Sequence, residues 1–258
     1  MPKQSASQWL QLDDFEMPVE IKPSNRARRI RITVGRCGVS VTLPKRVPLH
    51  QAEAFLLEKR RWVHSHWRKR QQEQQEVPQW QRLEEGCVIP LWDNPYTLKL
   101  RSQEVKKVTL TLHEEGSERV LEAQVNPTWL PAIRDQALRT ALRDLLKATL
   151  RQEIDQQIAL WAPQYGFAVK GIRIRPMRSR WGSCSAKGWL NFNRHLVHGP
   201  RAVCHYVIAH ELCHLHHPHH GASFWQAVAQ IDGAYQTHRN WLKSHGHRLQ
   251  IQLEGEPL

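Results

Sequence analysis

The sequence predicts an α+β protein in two parts. Apolar residues alternate with period two in two long stretches of the first half, as expected for half-buried strands. They recur with helical spacing in several later segments. The change from strand period to helix period falls near residue 130. We therefore expect a β-rich region with one basic helix over residues 1–130. Over residues 131–258 we expect a small sheet and a helix that carries several polar residues.

The first elements are a hairpin and a helix. Residues 1–20 are polar and acidic and are predicted to be a frayed leader. Alternation from Arg29 to Val34 and again over residues 39–43 predicts two strands joined by a glycine-containing turn. Residues 48–75 then predict a helix that is apolar on one side. Its other side carries Lys59, Arg60, Arg61, Arg68, Lys69 and Arg70.

A second group of strands follows, and then a long helix. The turn Glu114-Glu115-Gly116-Ser117 predicts a hairpin within this group. Asn126-Pro127 begins a connection, and the segment from Ile133 to Trp161 has a helical apolar stripe. The candidate strands are Val88 to Leu91, Tyr96 to Leu100, Val105 to Leu112 and Val120 to Val125.

The most informative motif is His210-Glu211-Leu212-Cys213-His214, an HExxH pattern in a helix that Pro200 can begin. Residues four apart share one face of a helix, so His210 and His214 offer two nitrogen ligands to one zinc ion. Glu211 lies about 100° round the helix, beside the metal. There its carboxylate can take a proton from a zinc-bound water. The motif therefore predicts a zinc hydrolase.

A third ligand is expected after the helix. Pro218 is hard to continue through, so we expect the helix to end near His217. The chain can then turn and bring His220 to the metal, with His219 as the alternative. Three protein ligands leave one position for water, which is typical of catalytic zinc sites. The predicted ligands of one zinc ion per chain are His210, His214 and His220.

Two short strands are predicted before the metal helix, at residues 172–175 and 189–193. A small sheet beside such a helix suits a zincin-like domain, in which the sheet edge holds extended substrate. Arg180, in the connection between the strands, is predicted to bind a substrate carboxylate or phosphate, or a developing oxyanion. The alternative is a structural arginine that pairs with backbone carbonyls. Neither Ser183 nor Cys184 has a base that the sequence can place beside it, so neither is expected to be a nucleophile.

Composition limits the partners and the compartment. The net charge is +13 and the pI about 9.9, which favours phosphate-bearing or acidic partners. Nucleic-acid contact through the basic N-terminal helix is one interpretation, and a solvated charged face is the other. No apolar run approaches the ~20 residues that span a bilayer, and no signal peptide is evident. Five scattered cysteines indicate a reducing compartment, so a cytoplasmic location is expected.

Several motifs together resemble the YgjP-like family of metal-dependent hydrolases, grouped with minimal zincin metallopeptidases. The resemblance implies that His210, His214 and His220 are the zinc ligands and that Glu211 is the catalytic acid/base. Members commonly have Asn-His-Ser at the third ligand, where this chain has His219-His220-Gly221, so His219 stays open as an alternative. The matching residues are Arg26 to Arg29, Val41 to Pro44, Arg180 to Ser185, Leu190-Asn191, Pro200, Tyr206-Val207, His210 to Leu215, His220, Phe224-Trp225 and Trp241-Leu242.

Two kinds of substrate fit these features. The favoured function is a zinc metallopeptidase that acts on peptides. The alternative is a metal-dependent phosphohydrolase of the nucleoside triphosphate pyrophosphohydrolase type, because Arg173, Arg175, Arg178 and Arg180 precede the metal helix and suit phosphate oxygens. A nucleic-acid-associated metalloprotease is a third hypothesis.

Overall fold

The computed structural model describes residues 7–12, 15–35, 38–75, 79–80, 83–177, 179–249 and 252–253. The chain divides into two compact units, Met1–Val77 and Pro78–Leu258. Each unit combines a sheet with helices, so the predicted mixture of α and β structure is confirmed.

The first unit is a four-stranded sheet covered on one face by two helices. Its elements are β1 (Ser7–Leu12), β2 (Phe15–Ser24), β3 (Arg31–Val34), β4 (Val39–Pro44), α1 (Leu49–Glu58) and α2 (Arg60–Gln75). The strand order is β1-β2-β4-β3, with β2 parallel to β4 and the other pairs antiparallel. Alternate residues of β2 and β4 pack against Ala52, Leu56 and Val63 of the helices.

Two expectations for this unit are wrong. The predicted leader over residues 1–20 contains β1 and part of β2. Met17, Val19 and Ile21 alternate on one face of β2 and are buried, because that face lies in the core. The predicted single helix over residues 48–75 is divided into α1 and α2 at Lys59, which has non-helical dihedral angles.

The second unit begins with another four-stranded sheet and a long helix. Its elements are β5 (Gln79–Trp80), β6 (Val88–Leu91), β7 (Asn94–Ser102), β8 (Thr109–Glu115), β9 (Glu118–Val125) and α3 (Pro131–Tyr165). The sheet order is β6-β7-β9-β8. The four strands that the alternation predicts are present, although β8 begins at Thr109 rather than at Val105. Helix α3 is longer at both ends than the predicted helix. Gly166 ends α3 in the left-handed conformation that glycine adopts easily.

The remaining elements build the candidate site. They are β10 (Gly171–Arg175), β11 (Gly182–Cys184), β12 (Trp189–Asn193), a 3-10 turn (Arg194–His198), α4 (Arg201–Cys213), α5 (Ala222–Ile231), α6 (Tyr235–His245), a second 3-10 turn (Gly246–Leu249) and β13 (Gln252–Leu253). The three-stranded sheet has the order β10-β12-β11, with β10 parallel and β11 antiparallel to β12. β13 pairs with β5.

Helix α4 begins directly after Pro200, as predicted, but it ends earlier than predicted. Its last residue is Cys213 rather than one near His217. The amides of His216 and His217 both donate to the Cys213 carbonyl, at 3.2 and 2.9 Å. This tight turn redirects the chain before Pro218 is reached.

The core of the second unit crosses the boundary predicted near residue 130. One cluster of buried side chains contains Leu98 and Leu121 of the sheet, Leu142 of α3 and Val207 of α4. The sheet buries its apolar face together with α3, so the division between compact units falls at residues 77 and 78 instead. Among the described residues, no helix is both long and apolar enough to span a membrane.

Candidate active site

Three imidazole rings meet at one point. His210 and His214 lie one turn apart on α4, and His220 lies in the connection to α5. The Nε2 atom of His210 is 3.2 Å from that of His214 and 3.1 Å from that of His220. Four-coordinate zinc with bonds of about 2.0–2.1 Å places its nitrogen ligands about 3.3 Å apart, so the spacing fits such an ion. In the described part of the chain, His219 does not belong to this group.

Hydrogen bonds turn the rings of His210 and His214 toward that point. The Nδ1 atom of His214 donates to the His217 carbonyl at 3.0 Å, which leaves the lone pair on Nε2. The Nδ1 atom of His210 is 3.4 Å from the hydroxyl of the buried Tyr206. Such partners fix the tautomer and the ring orientation of metal-binding histidines.

Phe224 of α5 supports all three rings. Its centroid is 4.9 Å from that of His210, 4.6 Å from that of His214 and 4.7 Å from that of His220. The side chain is completely buried. Phe224 entered the sequence analysis only through the family resemblance, because a lone aromatic residue after a proline-containing turn carries no signal of its own.

Glu211 lies on the neighbouring face of α4, against β11. A Cβ atom at Gly182 would lie 2.6 Å from Cγ of Glu211 and 2.8 Å from its Cδ, so the strand leaves room for this side chain only because residue 182 is glycine. The Glu211 side chain is buried, and its Oε2 atom has no hydrogen-bond partner among the described residues. Burial raises the pKa of Glu211 to about 8, and the charge of Arg180 opposes this shift.

Asn193 sets the path of the chain at Arg180. The buried Asn193 side chain donates from Nδ2 to the carbonyls of Met177 and Arg180, at 2.8 and 3.0 Å. The Arg180 side chain is exposed. Its guanidinium group makes no hydrogen bond to a carbonyl of the described residues. This does not support the alternative that Arg180 is a structural arginine paired with backbone carbonyls. Sequence reasoning missed Asn193, since its partners lie 13 and 16 residues away.

Strand β11 has one free edge. Residues on alternate positions bond to β12, as shown by the Asn193 amide donating to Trp181 and the Ser185 amide donating to Trp189, both at 2.9 Å. The backbone groups of Gly182 and Cys184 therefore point away from β12. No other described strand pairs with that edge, and β11 lies beside α4. Burial and the nearby Glu211 raise the pKa of the Cys184 thiol, which disfavours the thiolate that a nucleophile needs.

The arginines of the predicted phosphate site are not all brought to the histidines. Arg173 and Arg175 lie on β10, which β12 separates from β11. The Arg173 guanidinium lies 4.3 Å from the ring centroid of Trp189. Arg178 lies outside the described residues. Arg180 is the arginine of this group whose charge acts on Glu211.

Comparison with known proteins gives a family. A model described as the YgjP-like metallopeptidase domain matches residues 28–245. The chain belongs to the YgjP-like family. Among solved structures, the metallopeptidase zymogen of Pyrococcus abyssi abylysin is similar to part of this chain, with 21% identity and a TM-score of 0.34, over 37% of this chain and 96% of that chain. No curated protein matches.

This YgjP-like protein is thus a metal-dependent hydrolase of the metallopeptidase type. The family implies a metal ion, and the three-histidine group offers a place for it in the described residues. The ligand atoms lie within 4.8 Å of one another and are all imidazole nitrogens, a donor type that suits zinc among other ions.

Proposed function

We propose that this YgjP-like protein is a zinc peptidase in which His210, His214 and His220 hold one zinc ion. The observation that carries the proposal is the convergence of three Nε2 atoms at 3.1 and 3.2 Å beside a buried carboxyl group. Imidazole nitrogens suit zinc, and three of them leave a fourth position for water.

Glu211 is the proposed general base and general acid. A zinc ion held by the histidines supplies Lewis acidity, which lowers the pKa of water and polarises a peptide carbonyl. Glu211 accepts the proton of the attacking water and then donates it to the leaving amine. The Oε2 atom of this buried carboxyl has no hydrogen-bond partner among the described residues, so it is available to take up the proton.

The free edge of β11 is the proposed peptide-binding site. The outward amides and carbonyls of Gly182 and Cys184 can pair with an extended chain as an added strand. Gly182 also contacts Glu211, so a peptide bound there would pass directly by the carboxyl. This backbone pairing favours a peptide over a nucleotide as substrate.

Arg180 is the proposed contact for an anionic group of the substrate. Its exposed guanidinium lies where its charge reaches Glu211, and a planar fork can clamp a carboxylate. We expect Arg180→Lys to keep zinc and the melting temperature but to lower kcat/KM about tenfold, because the charge remains and the fork is lost. Unchanged kinetics with a large fall in melting temperature would make Arg180 a structural residue.

Glu211→Gln tests the function. The zinc-loaded protein and this variant would be given a panel of peptides and nucleoside triphosphates, with Glu104→Gln, an exposed glutamate, as the matched control. We expect peptide cleavage by the parent and the control, and a loss of several orders of magnitude in Glu211→Gln with zinc retained. Cleavage of nucleotides but not of peptides would show that the protein is a phosphohydrolase and not a peptidase. Turnover at the parental rate in Glu211→Gln would show that Glu211 is not the general base.

A further inference from the structure

An aromatic wall continues from the third histidine to the last long helix. The ring of Trp225, on α5, stacks on His220 with centroids 5.6 Å apart and an interplanar angle of 22°. Tyr235, at the start of α6, stacks on Trp225 at 5.5 Å and 17°. The Arg239 guanidinium lies 4.6 Å from the Trp225 centroid. Arg239 and His220, a proposed metal ligand, therefore contact the same aromatic ring.

Arg239 has no acidic partner among the described residues. Its guanidinium is exposed and its contact is the ring of Trp225. Both carboxylate oxygens of the neighbouring Asp232 have other partners. Its Oδ2 atom is 2.8 Å from Nδ1 of His238, and its Oδ1 accepts from the Ala234 amide at 3.1 Å.

The position of this charge is unfavourable for the protein alone. The exposed Arg239 guanidinium, without an acidic partner among the described residues, lies on the same ring as His220, which would hold a divalent cation. An anion bound at the guanidinium would offset the repulsion between these positive charges.

We infer that Arg239 is a specificity-determining residue that binds a carboxylate of the substrate, so that this peptidase prefers peptides with an acidic group beside the scissile bond. The inference rests on the proposed peptidase function. Stacking on Trp225 holds the planar fork in place, which lowers the entropy lost when it pairs with a carboxylate. Arg180 and Arg239 then supply two anion contacts, one near Glu211 and one near His220.

The carboxylate has two sources, an acidic side chain or the free C-terminus of a peptide. Peptide pools that differ only by Glu or Gln at each position, each with a free or an amidated C-terminus, separate them. Cleavage would be followed by mass spectrometry in the zinc-loaded parent, Arg239→Gln and Arg239→Lys. Lys147→Gln removes an equal charge from an exposed site on α3 and is the matched control.

A binding measurement accompanies cleavage. The same labelled peptides would be titrated into zinc-loaded Glu211→Gln protein, with and without Arg239→Gln, and followed by fluorescence anisotropy. We expect the carboxylate-bearing peptide to bind and to be cleaved about tenfold or more better than its amide pair. Arg239→Gln should abolish this preference and keep one zinc per chain, while Lys147→Gln should keep both the preference and the zinc.

Each failure has a distinct meaning. Peptide cleavage without a carboxylate preference, or a preference that survives Arg239→Gln, would overturn the inference and leave the peptidase standing. Loss of zinc in Arg239→Gln would also overturn it, since Arg239 would then act through Trp225 and His220 as a structural residue. If the parent cleaves no peptide, the proposed peptidase function is wrong. If acid and amide peptides also bind equally well, the proposed role of Arg239 is wrong too.

Discussion

At the scale of single residues, groups that do not react determine where the candidate reactive groups lie. Phe224 supports the three imidazole rings, and Gly182 leaves the space that Glu211 occupies. The HExxH spacing predicted which faces of α4 would carry the histidines and the glutamate. It could not reveal Gly182, because that contact joins residues 29 positions apart and depends on how β11 packs against α4.

Gly182→Ala tests this contact. The added methyl group would lie 2.6 Å from Cγ of Glu211, so the carboxyl must move while the backbone conformation is still accessible to alanine. We expect zinc binding and folding to persist and kcat to fall about 100-fold, the cost typical of a misplacement of about 1 Å. Assays of kcat, zinc content and melting temperature check it.

Gly233→Ala is the control, because a Cβ there meets no atom within 4 Å. It should leave all three quantities unchanged. Parental kcat in Gly182→Ala would show that Glu211 tolerates displacement and that the contact has no catalytic consequence.

At the scale of elements, polar side chains join the helix of the histidines to its neighbours. Glu153 of α3 accepts from His205 at 2.6 Å and from Arg201 at 3.2 Å, both on α4. The Nδ1 atom of His198, in the 3-10 turn before α4, donates to the Pro90 carbonyl of β6 at 2.8 Å. Apolar periodicity predicted these helices and strands, but not these bonds, whose partners lie 48, 52 and 108 residues apart.

The buried His198 makes stability depend on pH. Burial lowers its pKa from 6.5 to about 4; the bond to Pro90 opposes this shift and the charge of Arg194 adds to it. Between these two values the unfolded chain binds a proton that the folded protein does not, so stability is full above pH 6.5 and falls as pH decreases toward 4. We expect this residue to account for about 3 kcal/mol of that fall.

Urea unfolding of the parent and of His198→Gln at several values between pH 4 and 7 measures the effect. The glutamine amide can still donate a hydrogen bond but does not titrate, so the variant should show a shallower dependence of unfolding free energy on pH. The other ionisable groups are the same in both proteins, so their contributions cancel in the difference. Identical slopes would mean that His198 is not buried in its neutral form.

At the scale of the whole molecule, positive charge is concentrated in the first compact unit. Residues 1–77 hold 15 Lys and Arg against 8 Asp and Glu. The solvent face of α2 carries Arg61, Arg68 and Lys69, and Trp62 on the same helix is 44% exposed with its ring 4.2 Å from that of His66. Cations beside an exposed aromatic ring are typical of surfaces that bind single-stranded nucleic acid.

Nucleic-acid binding therefore stays a prediction with a sharp test. The full chain should bind a single-stranded oligonucleotide with an affinity that falls steeply as salt increases. The double variant Arg61→Gln, Arg68→Gln should lower the slope of log K against log salt by roughly 1.4, at about 0.7 per phosphate contact. A control with Lys106→Gln and Lys147→Gln, both outside this unit, should keep the slope. If the affinity did not depend on salt, or if all variants had the same slope of log K against log salt, the face of α2 would be a solvated surface that does not bind nucleic acid.

The sequence was a better guide to local order than to the division of the whole chain. Alternation predicted the strands of the second sheet, but its inner face is covered by α3, which joins it to the candidate site in one core. The strands of the first unit were partly missed, because Met17, Val19 and Ile21 lie in a segment rich in acidic and polar residues. Which helix packs on which buried face depends on contacts between distant segments. The hydrophobic periodicity of a single sequence does not predict these contacts.

Zinc titration of His220→Ala against His219→Ala tests the central claim most directly. In the structure His220 contributes an Nε2 atom 3.1 Å from that of His210, and the neighbouring His219 does not belong to the group. We expect one zinc per chain in the parent and in His219→Ala, and binding weakened more than about 100-fold in His220→Ala. Full retention in His220→Ala, or loss in His219→Ala instead, would contradict the proposed zinc site.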